Sequence, residues 1–514
     1  MGDTSVRVGP DPLSFEQVVA VARDGAAVSL TDEALTLIGE SRAHIEELSS
    51  RPLPVYGVST GFGALATRHI PPEMRAQLQL NIVRSHAAGS GMEVEREVVR
   101  ALMLLRLHTL ATGRTGVQPV TARTLAALLN AGITPQVFEH GSLGCSGDLA
   151  PLAHVALALI GEGQVRDAAG ELRPAAEVLA ENGIAPVMLG AKEGLALLNG
   201  TDGMLGMLVL AIRDLHKLLT AADVAAAMSV EALLGTDRVF AADLQALRPH
   251  PGQAASAANL RALLADSEIM ESHRGPDCTR VQDAYSLRCS PQVNGAARDT
   301  LAHAELVAGR ELASAVDNPV VLPDGRVESN GNFHGAPIAY VLDFLAIPTA
   351  DVASMSERRT DRMLDKGRSS GLPAFLADDP GVDSGHMIAQ YTQAAIVSEL
   401  KRLAAPASAD SIPSSAMQED HVSMGWNSAR KLRRAVDGLT QVIAIEILTA
   451  ARALDLRTPL RPGPATAAVV AKLREAVPPP GPDRYLAPEI AAATALVRDG
   501  SLVAAAESVT GPLS

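Results

Sequence analysis

Cys145-Ser146-Gly147 is a tripeptide that can become an electrophile without any external cofactor. Attack by the Gly147 amide nitrogen on the Cys145 carbonyl carbon closes a five-membered ring. Loss of water from that ring, and of the Ser146 hydroxyl as a second water, leaves an exocyclic methylidene on a conjugated imidazolone. Ring closure needs a residue without a side chain as nitrogen donor and a β-hydroxyl at the centre, which Gly147 and Ser146 supply. Cys145 lends only its carbonyl, so it serves as well as an alanine. Side chains offer many nucleophiles and almost no electrophiles, so a built-in one narrows the chemistry. Two other readings compete. Gly and Ser are ordinary turn residues, and Asp148 could cap a helix starting near Pro151. A serine-hydrolase elbow needs G-x-S-x-G, but Asp148 stands where the last glycine belongs.

The longer string Gly141-Ser-Leu-Gly-Cys-Ser-Gly-Asp-Leu-Ala-Pro-Leu-Ala-His154 closely resembles the signature of the aromatic amino-acid ammonia-lyases. In that family the tripeptide forms 4-methylideneimidazole-5-one (MIO), usually with alanine first. Cys145 is therefore a departure that the ring chemistry tolerates, and the resemblance implies that Asp148 assists ring formation. Eliminating ammonia also needs a carboxylate clamp, a base, a side-chain pocket and exclusion of water. A guanidinium offers a planar two-pronged donor to a carboxylate, and Arg288 is the candidate clamp. Its segment, Val281-Gln282-Asp283-Ala284-Tyr285-Ser286-Leu287-Arg288-Cys289, resembles the family segment that brings a glutamine, a tyrosine and an arginine to the site, which adds Gln282 and Tyr285.

Tyr56-Gly57-Val58-Ser59-Thr60-Gly61-Phe62-Gly63 reads as a surface loop or, by resemblance, as the family's mobile lid with a catalytic tyrosine. A phenol with a pKa of about 10 needs positive charge or hydrogen bonds to act as a base near neutrality. Tyr56 is the first candidate and Tyr285 the alternative. Asn199 interrupts an apolar run, where an amide must find partners; the family pattern places it beside the ring carbonyl and the substrate carboxylate. Phe333, in Gly331-Asn332-Phe333-His334-Gly335, matches a family pocket residue or is a plain core aromatic.

Two positions bear on substrate choice. Ser85-His86 resembles the pair carried by histidine-selective members, where phenylalanine lyases typically have Phe-Leu and tyrosine lyases His-Leu. Glu419, in Met417-Gln418-Glu419-Asp420-His421, also matches the histidine-specific pattern, although Met417 replaces the usual Asn. A carboxylate and an imidazole can pair the two ring nitrogens of histidine, and pairing buried polar groups produces large discrimination. On a bare helix, Glu-Asp-His would instead be a solvated face.

These residues need a framework. The chain has 514 residues, 47% hydrophobic and 20% charged, within the globular range. Aromatics make up only 3%, so the core must come from Leu, Ala, Val, Ile and 14 Met. Alanine and leucine are strong helix formers, and a mainly α fold is expected. No proline occurs between Pro186 and Pro249, where Leu205, Leu208, Ile212, Leu215, Leu218 and Leu219 recur at helical spacing. Similar stretches run from about 296 to 316, ended by Asp317-Asn318-Pro319, and from 426 to 456. Helices this long suggest an elongated bundle whose apolar stripes other subunits can complete. We expect a smaller N-terminal region, 1–200, carrying the lid and ring-forming loops, and a helical bundle over 201–514, of the fumarase/aspartase-like type the family implies.

The net charge of −14 argues against nucleic acid as a partner. Basic runs at Arg358–Arg362 and Arg430–Arg434 read as solvated or intersubunit helix faces. Cys145, Cys278 and Cys289 are too few for a disulfide framework and suit a reducing cytoplasm. No C-x-x-C or H-E-x-x-H pattern suggests a metal site, no signal peptide is evident, and no apolar run suggests a membrane span, since Arg213 interrupts the best candidate. The resemblance thus implies MIO-dependent deamination of L-histidine to urocanate and ammonia by a cytoplasmic homotetramer with sites shared between subunits, attack coming from the amine or the ring. A tyrosine or phenylalanine lyase, an aminomutase, and a helical scaffold with an uncyclised site are the alternatives. A fumarase-type lyase ranks lower because no segment resembles its serine loop.

Overall fold

Long helices carry this chain, and the expected mainly α architecture is observed. The computed structural model describes residues 5–50, 57, 60, 70–275, 278 and 281–514. Two compact units emerge. The first comprises Met1–Leu210, Glu305–Asp343 and Pro406–Arg430, the second Ala211–Ala304, Phe344–Ala405 and Lys431–Ser514.

The first unit holds all the strands among the described residues. Val6–Val8 pairs in parallel with Val28–Leu30, and Ser90–Glu93 pairs antiparallel with Phe138–His140. Gln164–Arg166 lies between Thr134–Pro135 and Leu172–Pro174 in a three-stranded antiparallel sheet. These short strands pack with helices such as Arg96–Ala111, whose residues from Val98 onward are all buried. The second unit is helical among its described residues.

The proline-free interval holds one long helix, Asp202–Ala232, of 31 residues, flanked by the short helices Glu193–Ala196 and Ala242–Ala246. Gly425–Asp455 matches the expected 426–456 stretch, while Ser290–Leu312 starts and ends earlier than expected. Ala336–Leu364 went unread in the sequence because Pro348 lies inside it, and proline usually ends or kinks a helix. This helix is long and apolar enough to cross a membrane, but 61% of its apolar window is buried inside the protein, so those residues serve packing.

Buried charges tie these helices together. Lys192 and Asp317 form an ion pair with both side chains fully buried, and Lys192 Nζ also donates to the Thr115 carbonyl at 2.8 Å. Arg359 pairs in a two-pronged contact with Glu446, again with both side chains fully buried. Arg433, 10% exposed, meets Asp214 at 3.1 Å. At these two positions the reading of the basic runs as solvated faces does not hold, while Arg358 and Arg434 are exposed. A charge faces the interior when packing supplies an opposite partner.

Candidate active site

The Gly141–Asp148 segment is held by backbone bonds that only glycines permit. Gly147 has φ +76°, and a Cβ there would overlap the carbonyl of Gly200. The two glycines form a parallel bridge, and Asp148 N donates to the Gly200 carbonyl at 2.7 Å. Gly200 in turn lies so close to the Arg106 guanidinium that a side chain would collide with it. A side-chain-free nitrogen donor follows the β-hydroxyl of Ser146 in this cradle, and the small Cys145 is buried beside it. The residues present fit an MIO ring.

Asp148 occupies the N-cap position of the Leu149–Leu159 helix, but its side chain makes no cap bond there. Instead, Oδ2 accepts from the amides of Gly203 and Met204 at 2.9 Å each, and Oδ1 accepts from Ser142 Oγ at 2.9 Å. The competing reading, in which Asp148 caps its own helix, is therefore not observed. Asp148 caps the first turn of Asp202–Ala232, whose amides need acceptors. Burial pushes its carboxyl up to about 7 against these hydrogen bonds.

Glu419 does not stand on a helix. It pairs with Ser414 across a tight reversal, with Ser414 N donating to the Glu419 carbonyl at 2.8 Å. Between them Ser415, Ala416 and Met417 have φ of 49°, 51° and 69°, a left-handed run that costs free energy and collects at functional sites. The carboxylate faces the Gly141–Asp148 segment. Cys145 Sγ donates to Oε2 at 3.1 Å, Ser414 Oγ donates to Oε2 at 3.1 Å, and Ser146 Oγ donates to Oε1 at 3.4 Å. Further along, Met424 N donates to the Leu143 carbonyl at 2.9 Å and Ser423 Oγ to the Gly144 carbonyl at 2.9 Å.

His86 ends the Arg75–His86 helix and is half-buried, with Ser85 Oγ 3.1 Å from its Nδ1. Burial lowers the imidazole below its usual range, opposed by the Ile82 backbone and by the charge of Glu419. Asn199 lies between the Glu193–Ala196 and Asp202–Ala232 helices and is 4% exposed. Arg106 donates to the carbonyls of Asn199 at 2.7 Å and Ala196 at 3.2 Å and also pairs with Asp202. Phe333 is half-buried, followed by Gly335, whose amide donates to the Gly144 carbonyl at 3.0 Å.

The second unit carries Gln282, Tyr285 and Arg288. Asp283 accepts from the Thr236 amide at 2.7 Å and Leu287 is buried, which leaves Gln282 and Tyr285 exposed. The Arg288 guanidinium carbon stands 4.7 Å from the Tyr285 ring centroid, within cation–π range. Among the described residues, its buried Nε has no hydrogen-bond partner. Tyr56, the first candidate base, lies outside the described residues.

Sequence reasoning missed Ser142, Ser414 and Arg106. Arg106 alone had a legible signal, as a charge inside the apolar run Leu104-Leu105-Arg106-Leu107.

Residues 13–475 match the model of the aromatic amino acid lyase family. The chain belongs to the aromatic amino acid lyases. This lyase is 68% identical to the histidine ammonia-lyase of Streptomyces avermitilis over 511 residues, 99% of this chain and 100% of that one. Among solved structures, it resembles histidine ammonia-lyase from Trypanosoma cruzi with a TM-score of 0.90 and 39% identity, covering 98% of this chain and 96% of that one. It also resembles tyrosine aminomutase from Streptomyces globisporus with a TM-score of 0.93 and 39% identity, covering 99% and 100%. One backbone thus accommodates histidine and tyrosine enzymes, and the lyase's substrate must be argued from side chains.

Proposed function

We propose that the lyase converts L-histidine to trans-urocanate and ammonia. One observation carries this reading: the Glu419 carboxylate hydrogen-bonds Cys145 and Ser146, and its charge acts on His86. The carboxylate then lies beside Ser146 with an imidazole within reach of its charge, a pair that can match the two ring nitrogens of histidine. A phenyl ring would leave both unpaired, at a cost of about 1–3 kcal/mol for each buried polar group.

MIO, formed from Cys145-Ser146-Gly147 with Asp148 assisting, supplies an electrophile toward the amino group or ring of the substrate. Arg288 holds the substrate carboxylate, with Asn199 and Gln282 completing its hydrogen bonds. The Arg288 Nε supports this, since it lacks an acceptor among the described residues and a buried donor without one favours an incoming anion. Phe333 walls the side-chain pocket. Tyr56 or Tyr285 removes the β-proton. We place the enzyme in the cytoplasm as a homotetramer with shared sites, a reading supported by the 70% exposure of Tyr285, which awaits a covering surface.

The test follows the ultraviolet rise of the conjugated acid with L-histidine, L-tyrosine and L-phenylalanine in turn. A rise with histidine alone, lost in Ser146→Ala, is expected. A rise with tyrosine or phenylalanine instead keeps the ring chemistry, overturns the roles of His86 and Glu419 and favours a tyrosine or phenylalanine lyase. No rise, with an intact mass lacking the loss of two waters, overturns MIO chemistry.

A further inference from the structure

The residue at the first position of the ring-forming tripeptide has a side chain with work to do. We propose that the Cys145 thiol is a positioning residue for Glu419, holding Oε2 so that Oε1 is presented to the substrate ring. This rests on the reading of Glu419 as the ring-binding carboxylate.

The two carboxylate oxygens have different partners. Oε2 accepts from Cys145 Sγ at 3.1 Å and from Ser414 Oγ at 3.1 Å, whereas Oε1 accepts from Ser146 Oγ at 3.4 Å. Ring closure treats these donors differently. The Gly147 nitrogen bonds to the Cys145 carbonyl carbon, the carbonyl oxygen leaves as water with the amide protons of Gly147 and Ser146, and the Ser146 hydroxyl leaves as a second water with the Ser146 α-proton. The Cys145 side chain keeps every atom. Maturation therefore frees Oε1 and leaves the thiol and Ser414 on Oε2.

The thiol is suited to donate. It is 5% exposed and packs with Val422 and Met424, just past Glu419 in the chain. Burial and the neighbouring carboxylate push it up to about 12, so the proton stays on sulfur. A thiol is a weak donor toward neutral acceptors, but a carboxylate acceptor strengthens the bond. Glu419 needs such an anchor because it follows the left-handed run Ser415–Met417 and its side chain has several rotamers to lose. Alanine at this position would offer no donor. Among the described residues, this thiol and His86 both feel the charge of Glu419.

Infrared spectroscopy of the full-length protein reads the bond without any substrate. The S–H band of Cys145, assigned by its loss in Cys145→Ser, should lie below that of an exposed thiol and move up in Glu419→Gln. A band unmoved by Glu419→Gln overturns the proposal. Kinetics supply the second readout. Cys145→Ala and Cys145→Ser should both keep the mass loss of two waters. With L-histidine, Cys145→Ala should lower kcat/KM about tenfold, mainly through KM, and Cys145→Ser should recover most of it. An unchanged kcat/KM in Cys145→Ala, or no recovery with serine, overturns the positioning role. If either variant fails to mature, the infrared shift in Glu419→Gln decides alone. A wild-type enzyme inactive on histidine would instead sink the proposed substrate, while the infrared result would still report the thiol–carboxylate bond.

Discussion

Gly147 shows how tightly one residue can be constrained by backbone alone. In the proposed ring closure its nitrogen attacks a neighbouring carbonyl, its φ of +76° lies in the left-handed region, and a Cβ on it would overlap the Gly200 carbonyl. Each requirement excludes a side chain for a separate reason. Gly147→Ala should therefore lose stability by about 1–3 kcal/mol and keep the full mass, with no loss of two waters. Intact-mass spectrometry with thermal unfolding checks this, and a fully cyclised alanine variant would show that the cradle is looser than described. The motif made this residue legible because ring chemistry depends only on neighbours in the chain. The same adjacency hid the thiol bond to Glu419, which joins residues far apart in sequence.

At the scale of elements, the Asp202–Ala232 helix begins at the site and is capped by a residue from another segment. Asp148 takes the amides of Gly203 and Met204, so the ring-forming loop and the helix start are held as one piece. Asp148→Ala should leave those amides and Ser142 Oγ without their acceptor, destabilising the protein by about 2–4 kcal/mol. Chemical denaturation would measure the loss. A change within experimental error would mean that water replaces the carboxylate. The helix itself was legible from its proline-free apolar period, whereas its cap was not. An Asp just before a helical run predicts local capping, and here burial sends the side chain across to the helix whose first amides lie nearer.

The whole molecule carries a titration that the reaction does not use. His386 is 3% exposed, with Nδ1 3.1 Å from Thr449 Oγ1. Burial lowers it to about 3, helped by Arg452, Arg484 and Arg474 and opposed by Asp483. A histidine depressed in the folded state contributes stability above its unfolded value of about 6.5, which is lost as pH falls through the folded value. Acidification from pH 6.5 to 5 should cost about 2 kcal/mol from this group alone. His386→Gln should flatten that limb of the stability–pH curve, measured by urea unfolding at each pH. A variant curve parallel to wild type would mean that another group carries the acid limb.

The sequence by itself determined the Cys145-Ser146-Gly147 tripeptide that can close into an electrophile, the mainly α fold and the long helices at 202–232 and 425–455. Ring closure and helical periodicity are local, so residue types at short spacing suffice for both. Tertiary structure decided which charges are buried, as with Lys192 and Asp317 or Arg359 and Glu446. It also decided that Glu419 meets Cys145 rather than water, and that Asp148 serves a second helix. These pairings join distant segments, and their partners exist only once packing has excluded the solvent that would otherwise satisfy them.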